Sequence, residues 1–187
     1  MKSFINLFSI VAILAFTGCS SYRWTSRVPE ELRTVAVPTF ENRTEVSELG
    51  PIVTQYTLRE FQKEGTFKIK RAGDSAIEIQ GAIIKADRGA IVYNRNYGMR
   101  AKEYRYTVTA EVSIINKETG KVLQEARKYF AETTFITHDD LLTSQHNAAQ
   151  RIASELARQI VDDTVSYPYN RPASEEVVKE VEAELKK

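Results

Sequence analysis

The chain has 187 residues, 42% of them hydrophobic and 27% charged, which is enough to bury one ordinary core. Its formal net charge of +1 gives no general attraction to nucleic acid, so an electrostatic function would need a local patch of charge. The single cysteine excludes a disulfide within the chain, and the fold must therefore be held together by packing.

The chain begins with an uncharged, mostly apolar run over residues 3–18, which follows Lys2 and ends directly before Cys19. This run is shorter than the about 20 apolar residues that span a bilayer, and it has the pattern of a secretory signal peptide. Residues 14–19 (LAFTGC) resemble the site where bacterial lipoproteins are cleaved and acylated, so Cys19 is the predicted lipidation site. The alternative is a secreted protein cleaved nearby, which leaves an unpaired thiol in an oxidising compartment.

The sequence divides into four segments. We expect a lipoprotein signal peptide over residues 1–18, a lipidated tether over 19–28, an α+β domain over 29–170 and a charged tail or loose helix over 171–187. Acyl chains on Cys19 would hold the protein at a membrane, because each buried methylene contributes about 0.8 kcal/mol. In enteric bacteria, an aspartate directly after the acylated cysteine retains lipoproteins at the inner membrane. This chain has Ser20 at that position, which favours location in the outer membrane.

The domain opens with a predicted strand and helix. Residues 33–40 (RTVAVPTF) alternate as a strand does, and Pro38 marks the end of that strand or an edge position. Ser47 is the predicted N-cap of a helix over residues 48–64, which Gly65 stops.

Two extended segments, residues 67–71 and 76–86, follow the helix and complete a βαβ unit. Gly81 lies among isoleucines that share one face of the second segment, which indicates a bulge or a close approach of another group. Residues 87–100 (DRGAIVYNRNYGMR) are predicted to be a long irregular stretch.

The clearest periodicity follows. Residues 103–114 alternate between apolar and polar side chains, which predicts a half-buried strand with one wet face. Residues 116–120 predict a hairpin turn. Residues 121–135 then return antiparallel, with a bulge or an edge position expected between Leu123 and Tyr129.

A long helix closes the domain. Thr137, with Asp140 three residues later, predicts a capping box for a helix that runs to about Asp163. Apolar residues at helical spacing mark its buried side: Ala149, Ile152, Ala153, Leu156, Ile160 and Val161. These elements predict an α+β fold with two helices packed on one face of a four-stranded mixed, largely antiparallel sheet, in the order β-α-β-β-β-α.

The sequence offers little catalytic chemistry. His138 and His146 have no third nitrogen or sulfur ligand, so no metal site is expected. No glycine-rich phosphate loop and no nucleophile elbow occur in the sequence, and Asp139 and Asp140 are explained by the helix start. We therefore expect no enzyme activity, no metal and no cofactor.

One stretch is unusual in its charge. Residues 85–105 hold six basic residues against two acidic ones, with three tyrosines among them. Because arginine binds phosphate through two parallel hydrogen bonds, this patch predicts recognition of an anionic amphiphile or docking into the lumen of a protein. The candidate ligand-binding residues are Arg88, Arg95, Arg100 and Lys102. The alternative is a solvated loop whose charges are balanced elsewhere; export disfavours nucleic acid as a partner.

Three stretches, in this order along the chain, resemble the lipopolysaccharide-assembly lipoprotein family (LptE). They are the acylation site followed by residues 20–22 (SSY), residues 35–44 (VAVPTFENRT) with their helix, and residues 103–108 (EYRYTV) with 119–123 (TGKVL). The resemblance covers about residues 15–167 and includes no catalytic motif.

The resemblance implies a non-enzymatic lipoprotein, anchored by its N-terminal lipid in the outer membrane of a Gram-negative cell and facing the periplasm. Such a protein sits inside a large β-barrel translocon (LptD) as a plug and assembly partner, and it helps deliver lipopolysaccharide to the outer leaflet. The phosphates of lipopolysaccharide are then the anions that the basic patch would bind. The implied fold, two helices on a four-stranded sheet, agrees with the periodicity.

Two other functions stay open at this point. A lipoprotein that activates a periplasmic cell-wall synthase also opens with a V-x-P-F-x-N-R-T-like strand, but its domain must cross the periplasm on a long tether. Here ten residues separate Cys19 from Pro29, at most about 35 Å, which favours the translocon plug. A free-standing lipid carrier would need a deep apolar cavity, which a sequence cannot reveal.

Overall fold

The computed structural model describes residues 28–94, 100–137 and 140–169. The predicted signal peptide, Cys19 and the tail over 171–187 lie outside these ranges. The described residues form β1 (Thr34–Ala36), β2 (Glu41–Asn42), α1 (Leu49–Glu64), β3 (Lys68–Ile69), β4 (Ile77–Asn94), β5 (Arg100–Asn116), β6 (Val122–Ile136) and α2 (Leu141–Ser166). None of the described helices is both long and apolar enough to cross a membrane.

The strands form one mixed sheet in the order β3-β1-β4-β5-β6, with β2 paired to β4. β1 runs parallel to β3 and β4, and β2 runs parallel to β4, whereas β4, β5 and β6 are antiparallel neighbours. The predicted α+β class is therefore confirmed. The described sheet has six strands rather than four, because β2 was not predicted and because the extended segment over residues 67–71 forms a separate short strand, β3.

The two helices and the facing side of the sheet share one hydrophobic core. All six apolar residues predicted for the buried side of α2 are buried, and so are alternate residues of β5 from Tyr106 to Ile114. The residues between them on β5 are partly exposed, as the period of two predicts. Burial of each large apolar side chain contributes about 1.5–3 kcal/mol, so this face holds the sheet to the helices.

Residues 87–94 and Arg100 belong to strands, whereas the sequence predicted an irregular stretch over residues 87–100. β4 continues to Asn94 and β5 begins at Arg100, so the two strands form one long hairpin. Asp87 and Gly89 are poor strand formers, but their pairing with β5 overrides this weak preference. Register shifts at Ile84 and Ile91 mark the bulges along β4.

The start of α1 also differs from the prediction. The helix begins after Glu48, and no side chain caps it, so the predicted cap by Ser47 is wrong. Gly65 ends the helix in the left-handed conformation, with φ of 82°, as predicted. The N–H of Phe40 donates to the hydroxyl of Thr54 inside α1 at 2.9 Å, which draws the chain away from the sheet and leaves β1 shorter than predicted.

The cap of α2 is Asp140 rather than Thr137. The carboxylate of Asp140 accepts hydrogen bonds from the backbone N–H groups of Leu142 and Thr143, at 2.9 and 3.1 Å. The hydrogen bond from the hydroxyl of Thr143, followed by these two backbone bonds, lowers the pKa of Asp140. Thr137 belongs to the sheet instead, because its N–H donates to the carbonyl of Lys102 at 3.0 Å.

The β5–β6 turn and the edge strand follow the prediction. The side-chain oxygen of Asn116 accepts from the N–H groups of Glu118 and Thr119 at 3.0 Å each, and Gly120 has a φ of 68°. β6 lies at the edge of the sheet, and its register shifts twice between Val122 and Arg127. The bulge and edge position expected in this segment are therefore confirmed.

Candidate functional site

The hairpin of β4 and β5 carries the predicted phosphate ligands. Arg100 is the first residue of β5, but its side chain and the whole of Arg95 lie outside the described part of the chain. Arg88 lies on β4 opposite Tyr106, and Lys102 lies four residues along β5 from that position, about 13 Å away.

Arg88 is held against α2. Its guanidinium donates to Oε1 of Gln145 and lies 5.5 Å from the centre of the Tyr104 ring, within cation–π distance. Strand alternation places Arg88 on the sheet face that the helices cover, together with Tyr104 and Tyr106. A guanidinium has five N–H donors, so this contact leaves donors for an anion.

Three described basic residues of the patch do not converge on one point: Arg88, Lys102 and Arg105. The side chain of Lys102 is exposed, and strand alternation turns Arg105 to the sheet face opposite Tyr104 and Tyr106. Only Arg88 of these three lies beside α2. The stretch that looks uniform in sequence therefore presents its charges on two faces of the hairpin.

A cavity of about 400 Å³ lies between β4, the loop after β2 and α2, and Arg88 lines it. Two further cations, Arg43 and Lys85, and one acidic residue, Glu45, line the same cavity. Each of these two cations has an acidic neighbour: Arg43 lies 2.7 Å from Glu41, and Lys85 lies 2.5 Å from Asp87. We call this cavity the basic pocket and define it by Arg43, Lys85, Arg88, Tyr106 and Gln145.

The hydroxyl of Tyr106 is an unusual feature of the basic pocket. The side chain is 0% exposed, and the hydroxyl has no hydrogen-bond partner among the described residues. Burial raises the pKa of this phenol. The phenol is therefore neutral near pH 7 and keeps an unused donor. Leaving such a buried group unsatisfied costs about 1–3 kcal/mol, which a ligand oxygen would recover.

Arg43 and Tyr106 lie in stretches that carry the family resemblance, but their local sequence pattern does not mark either as a ligand-binding residue. Arg43 stands in a polar turn, and Tyr106 stands on the apolar side of an alternating strand. Gln145 does carry a signal, because it lies four residues before Ala149, on the stripe of α2 that is otherwise apolar. A polar residue at a core position of a helix is thus the feature that points to the pocket.

A second cavity, of about 550 Å³, lies between the loop after β2 and the start of α2. His146 lines it, with Nδ1 2.8 Å from a carboxylate oxygen of Glu48 and Nε2 3.0 Å from the amide nitrogen of Gln150. His138 and Asp139 lie outside the described residues. Within residues 28–94, 100–137 and 140–169, no group of three or more His, Cys, Asp or Glu side chains could hold a metal ion.

Known proteins are similar to this chain in family and fold. Residues 32–164, more than half of the chain, match the family model described as LptE, lipopolysaccharide-assembly. No curated protein sequence is detectably similar to the chain.

Several solved structures share the fold. A putative lipoprotein from Caulobacter crescentus is 12% identical, with 75% of this chain and 95% of that chain covered and a TM-score of 0.53. Uncharacterized lipoprotein B from Nitrosomonas europaea is 9% identical, with coverage of 80% and 92% and a TM-score of 0.53. A protein from Xanthomonas campestris is 9% identical, with coverage of 78% and 88% and a TM-score of 0.57. At these identities the likeness shows the fold alone.

Proposed function

The chain belongs to the lipopolysaccharide-assembly family of lipoproteins (LptE), and from this premise we propose its role. It is an outer-membrane lipoprotein that plugs and helps assemble an LptD-like β-barrel translocon and assists the insertion of lipopolysaccharide into the outer leaflet. In this role it acts by binding and not as an enzyme. The observation that carries the proposal is the family match over residues 32–164, which spans nearly the whole described domain.

The proposal places a lipid anchor on Cys19 and the domain on the periplasmic side of the outer membrane. The apolar run over residues 3–18 and the acylation-site pattern support this placement. The first described residue, Val28, follows Cys19 by nine positions, which reach at most about 30 Å. A link of this length keeps the domain beside the membrane, where a barrel partner is located.

The phosphates of lipopolysaccharide are the proposed ligands of Arg88, Arg95, Arg100 and Lys102. Arg88 has the most structural support, because its hydrogen bond to α2 fixes the guanidinium and because it lines the basic pocket. The unpaired hydroxyl of Tyr106 adds a neutral donor at the same place. A phosphate oxygen accepts from both groups without any change in their protonation.

The partner is tested by purifying the full-length protein from its own outer membrane in mild detergent, with mass spectrometry of the proteins that accompany it. A large β-barrel in one-to-one amount is the expected result. The Cys19→Ala variant, purified in the same way, shows whether acylation is needed for that complex. A cell-wall synthase in place of the barrel, or no stoichiometric partner, would overturn the plug proposal.

The ligand is tested by reversing three charges at once, Arg95→Glu, Arg100→Glu and Lys102→Glu. We expect binding to purified lipopolysaccharide to weaken at least tenfold while the midpoint of thermal unfolding stays nearly unchanged. The matched control reverses three exposed basic residues at the other side of the sheet: Lys68, Lys70 and Arg71. Unaltered binding, an equal loss in the control, or gross unfolding would contradict the role of the patch.

A further inference from the structure

The sheet has two long edges, and one of them is covered. At β6, the side-chain amide of Gln159 donates to the carbonyl of Phe130 at 3.3 Å, and the guanidinium of Arg151 donates to the carbonyl of Thr134 at 3.1 Å. Helix α2 thus occupies backbone acceptors that would otherwise face solvent. Uncovered edge groups are templates for pairing with another chain, so β6 is protected against it.

The opposite edge is open over much of β4. β1 pairs with β4 at Ile77 and Glu78, and β2 pairs with it at Ala82 and Ile83. Over residues 85–94, no described strand pairs with β4 on that side, and no described side chain bonds its backbone. Only alternate residues of an antiparallel pair exchange hydrogen bonds, so about half of these N–H and C=O groups face away from β5.

The side chains of this open edge are apolar near its end. Ile91, Val92 and Tyr93 are 41%, 42% and 54% exposed. Natural edge strands are usually kept short or are blunted by proline, charge and bulges. Three charged residues and the bulges at Ile84 and Ile91 blunt the first part of this edge, but the strand continues to Asn94 beyond its last described neighbour. Its length and its apolar end fit the addition of a further strand.

The charge around the open edge favours one kind of strand. The basic pocket opens beside it; Lys85, which is paired with Asp87, and Arg88 line the pocket together with the acidic Glu45. Residues 85–105 as a whole carry six basic side chains against two acidic ones, a net charge of +4. Alternate side chains of an added strand would point into the pocket. A second copy of this chain would bring the same positive charge to the same place, which opposes self-pairing.

We propose that residues 85–94 of β4 are a docking edge for an extended segment of a partner protein, whose acidic side chains face the basic pocket. Main-chain hydrogen bonds supply the affinity, and the pocket selects the side chains that enter it. The inference does not rest on the proposed function, because it identifies the partner by its backbone and charge and not by its role in lipopolysaccharide transport.

Hydrogen exchange of single backbone amides in the full-length protein tests this docking edge. The probe is a synthetic peptide of about ten residues that alternates glutamate with valine and is blocked at both ends. At saturating peptide we expect alternate amides of residues 85–90, where the register with β5 is unbroken, to exchange at least tenfold more slowly. The amides between them, already bonded to β5, should not change. This alternation distinguishes strand addition from unspecific coverage.

Two matched probes separate charge from backbone pairing. A peptide with lysine in place of glutamate should bind at least tenfold more weakly, and one with methylated amide nitrogens on its pairing edge should not slow exchange. In the protein, the backbone groups of Ile83 face outward, away from β5, and the register with β5 gives those of Ala90 the same direction. Ala90→Pro therefore removes one outward amide, and it should weaken binding of the acidic peptide by a similar factor. The methylated peptide tests the same bonds without changing the protein.

Three results would overturn the proposal. One is the absence of slowed exchange with the acidic peptide, and another is equal slowing with the lysine or methylated peptide. The third is slow exchange of the same amides before any peptide is added. In a dimer that result assigns the edge to a second copy, and in a monomer it assigns the edge to another segment of this chain.

Discussion

Gly81 determines how closely Phe40 packs against the sheet. A Cβ atom built on Gly81 would lie 2.5 Å from the ring of Phe40, whose side chain is only 2% exposed. The close approach expected from the sequence is therefore confirmed, and its partner is an aromatic ring from the segment between β1 and β2. The glycine is required here for space and not for backbone conformation.

Gly81→Ala is expected to lower the free energy of unfolding by about 1–3 kcal/mol, because the new methyl group must displace a buried ring. Gly89→Ala is the control on the same strand, since no heavy atom lies within 4 Å of a Cβ built there. We expect the control to change stability by no more than about 0.5 kcal/mol. Urea unfolding measures both, and equal losses would show that the ring yields without cost.

Tyr129 is the centre of a polar cluster that ties β6 to α2. Its hydroxyl donates to a carboxylate oxygen of Asp163 at 2.5 Å, and Arg127 donates to both oxygens of that carboxylate at 2.8 and 2.9 Å. Burial, followed by the bond to Asp163, raises the pKa of Tyr129 to about 12. The neutral phenol is thus the form that the folded state stabilises.

Tyr129→Phe is expected to cost about 2 kcal/mol, since it removes a hydrogen bond to a charged group. The pKa is near 10 in the unfolded chain and about 12 in the folded one, so this stabilisation is complete below pH 10 and lost as the pH rises toward 12. Urea unfolding should give a constant difference from wild type between about pH 7 and 9, and a shrinking one above pH 10. The exposed Tyr93→Phe should show neither effect; a difference independent of pH would contradict the assignment.

At the scale of elements, α2 acts on β6 through side chains as well as through the core. Gln159 and Arg151 reach the carbonyls of Phe130 and Thr134 along the edge. Phe130 itself is 66% exposed, so the edge that α2 protects has an apolar side chain beside its backbone groups. An uncovered strand of this kind is prone to pair with a copy of itself.

Replacing both Gln159 and Arg151 with alanine should therefore cause self-association through β6. The matched control replaces Asn147 and Arg158, two exposed residues of the same helix with no hydrogen bond to β6 in the described part of the chain. Size-exclusion chromatography with light scattering should detect a concentration-dependent dimer of the first variant and a monomer of the control. A first variant that stays monomeric would show that the two side chains do not protect the edge.

The same elements show which parts of the fold can be predicted from the sequence. The strand of β5 and the buried stripe of α2 are predictable because one side of each is packed and the other is wet, which imposes a period on the sequence. The end of β4 is not predictable in this way, because Asp87 and Gly89 acquire strand structure only by pairing with residues of β5 beyond the hairpin tip. Thr137 and Asp140 both suit a helix cap, and the sheet's hydrogen bond to Thr137 decides between them.

The candidate site was only partly predictable for the same reason. Arg88 is identifiable as one cation of a basic stretch, but its partner Gln145 is 57 residues away in sequence. The basic pocket forms where β4, the loop after β2 and α2 meet, and no local pattern describes such a meeting. Long-range packing thus supplies the geometry of the site.

At the scale of the whole molecule, the long hairpin of β4 and β5 gives the domain two distant ends. The hydroxyl of Thr34 accepts from the N–H of Ala76 at 2.8 Å, and the carbonyl of Ala76 accepts from the N–H of Lys117 at 2.8 Å. The entrance of the described chain therefore lies at the end that holds the β5–β6 turn. The residues that open β5 lie at the other end, about 50 Å away along the strand.

This polarity predicts the orientation of the anchored protein. With acylated Cys19 in a vesicle whose lipids carry an energy acceptor, a fluorophore at Glu118→Cys should transfer more energy than one at Lys102→Cys. The nine residues from Cys19 to Val28 reach at most about 30 Å, so the entrance of the domain stays near the bilayer, whereas the hairpin tip can extend much farther. The Cys19→Ser form should give no transfer from either position.

Equal transfer, or more from Lys102, would mean that the hairpin lies on the bilayer or points into it. The expected result, more transfer from Glu118→Cys, would instead mean that the basic pocket and the open edge of β4 face away from the leaflet that holds the anchor. A ligand or partner would then reach them from the side opposite the anchor, so one lipid could tether the domain without blocking the surfaces proposed to bind.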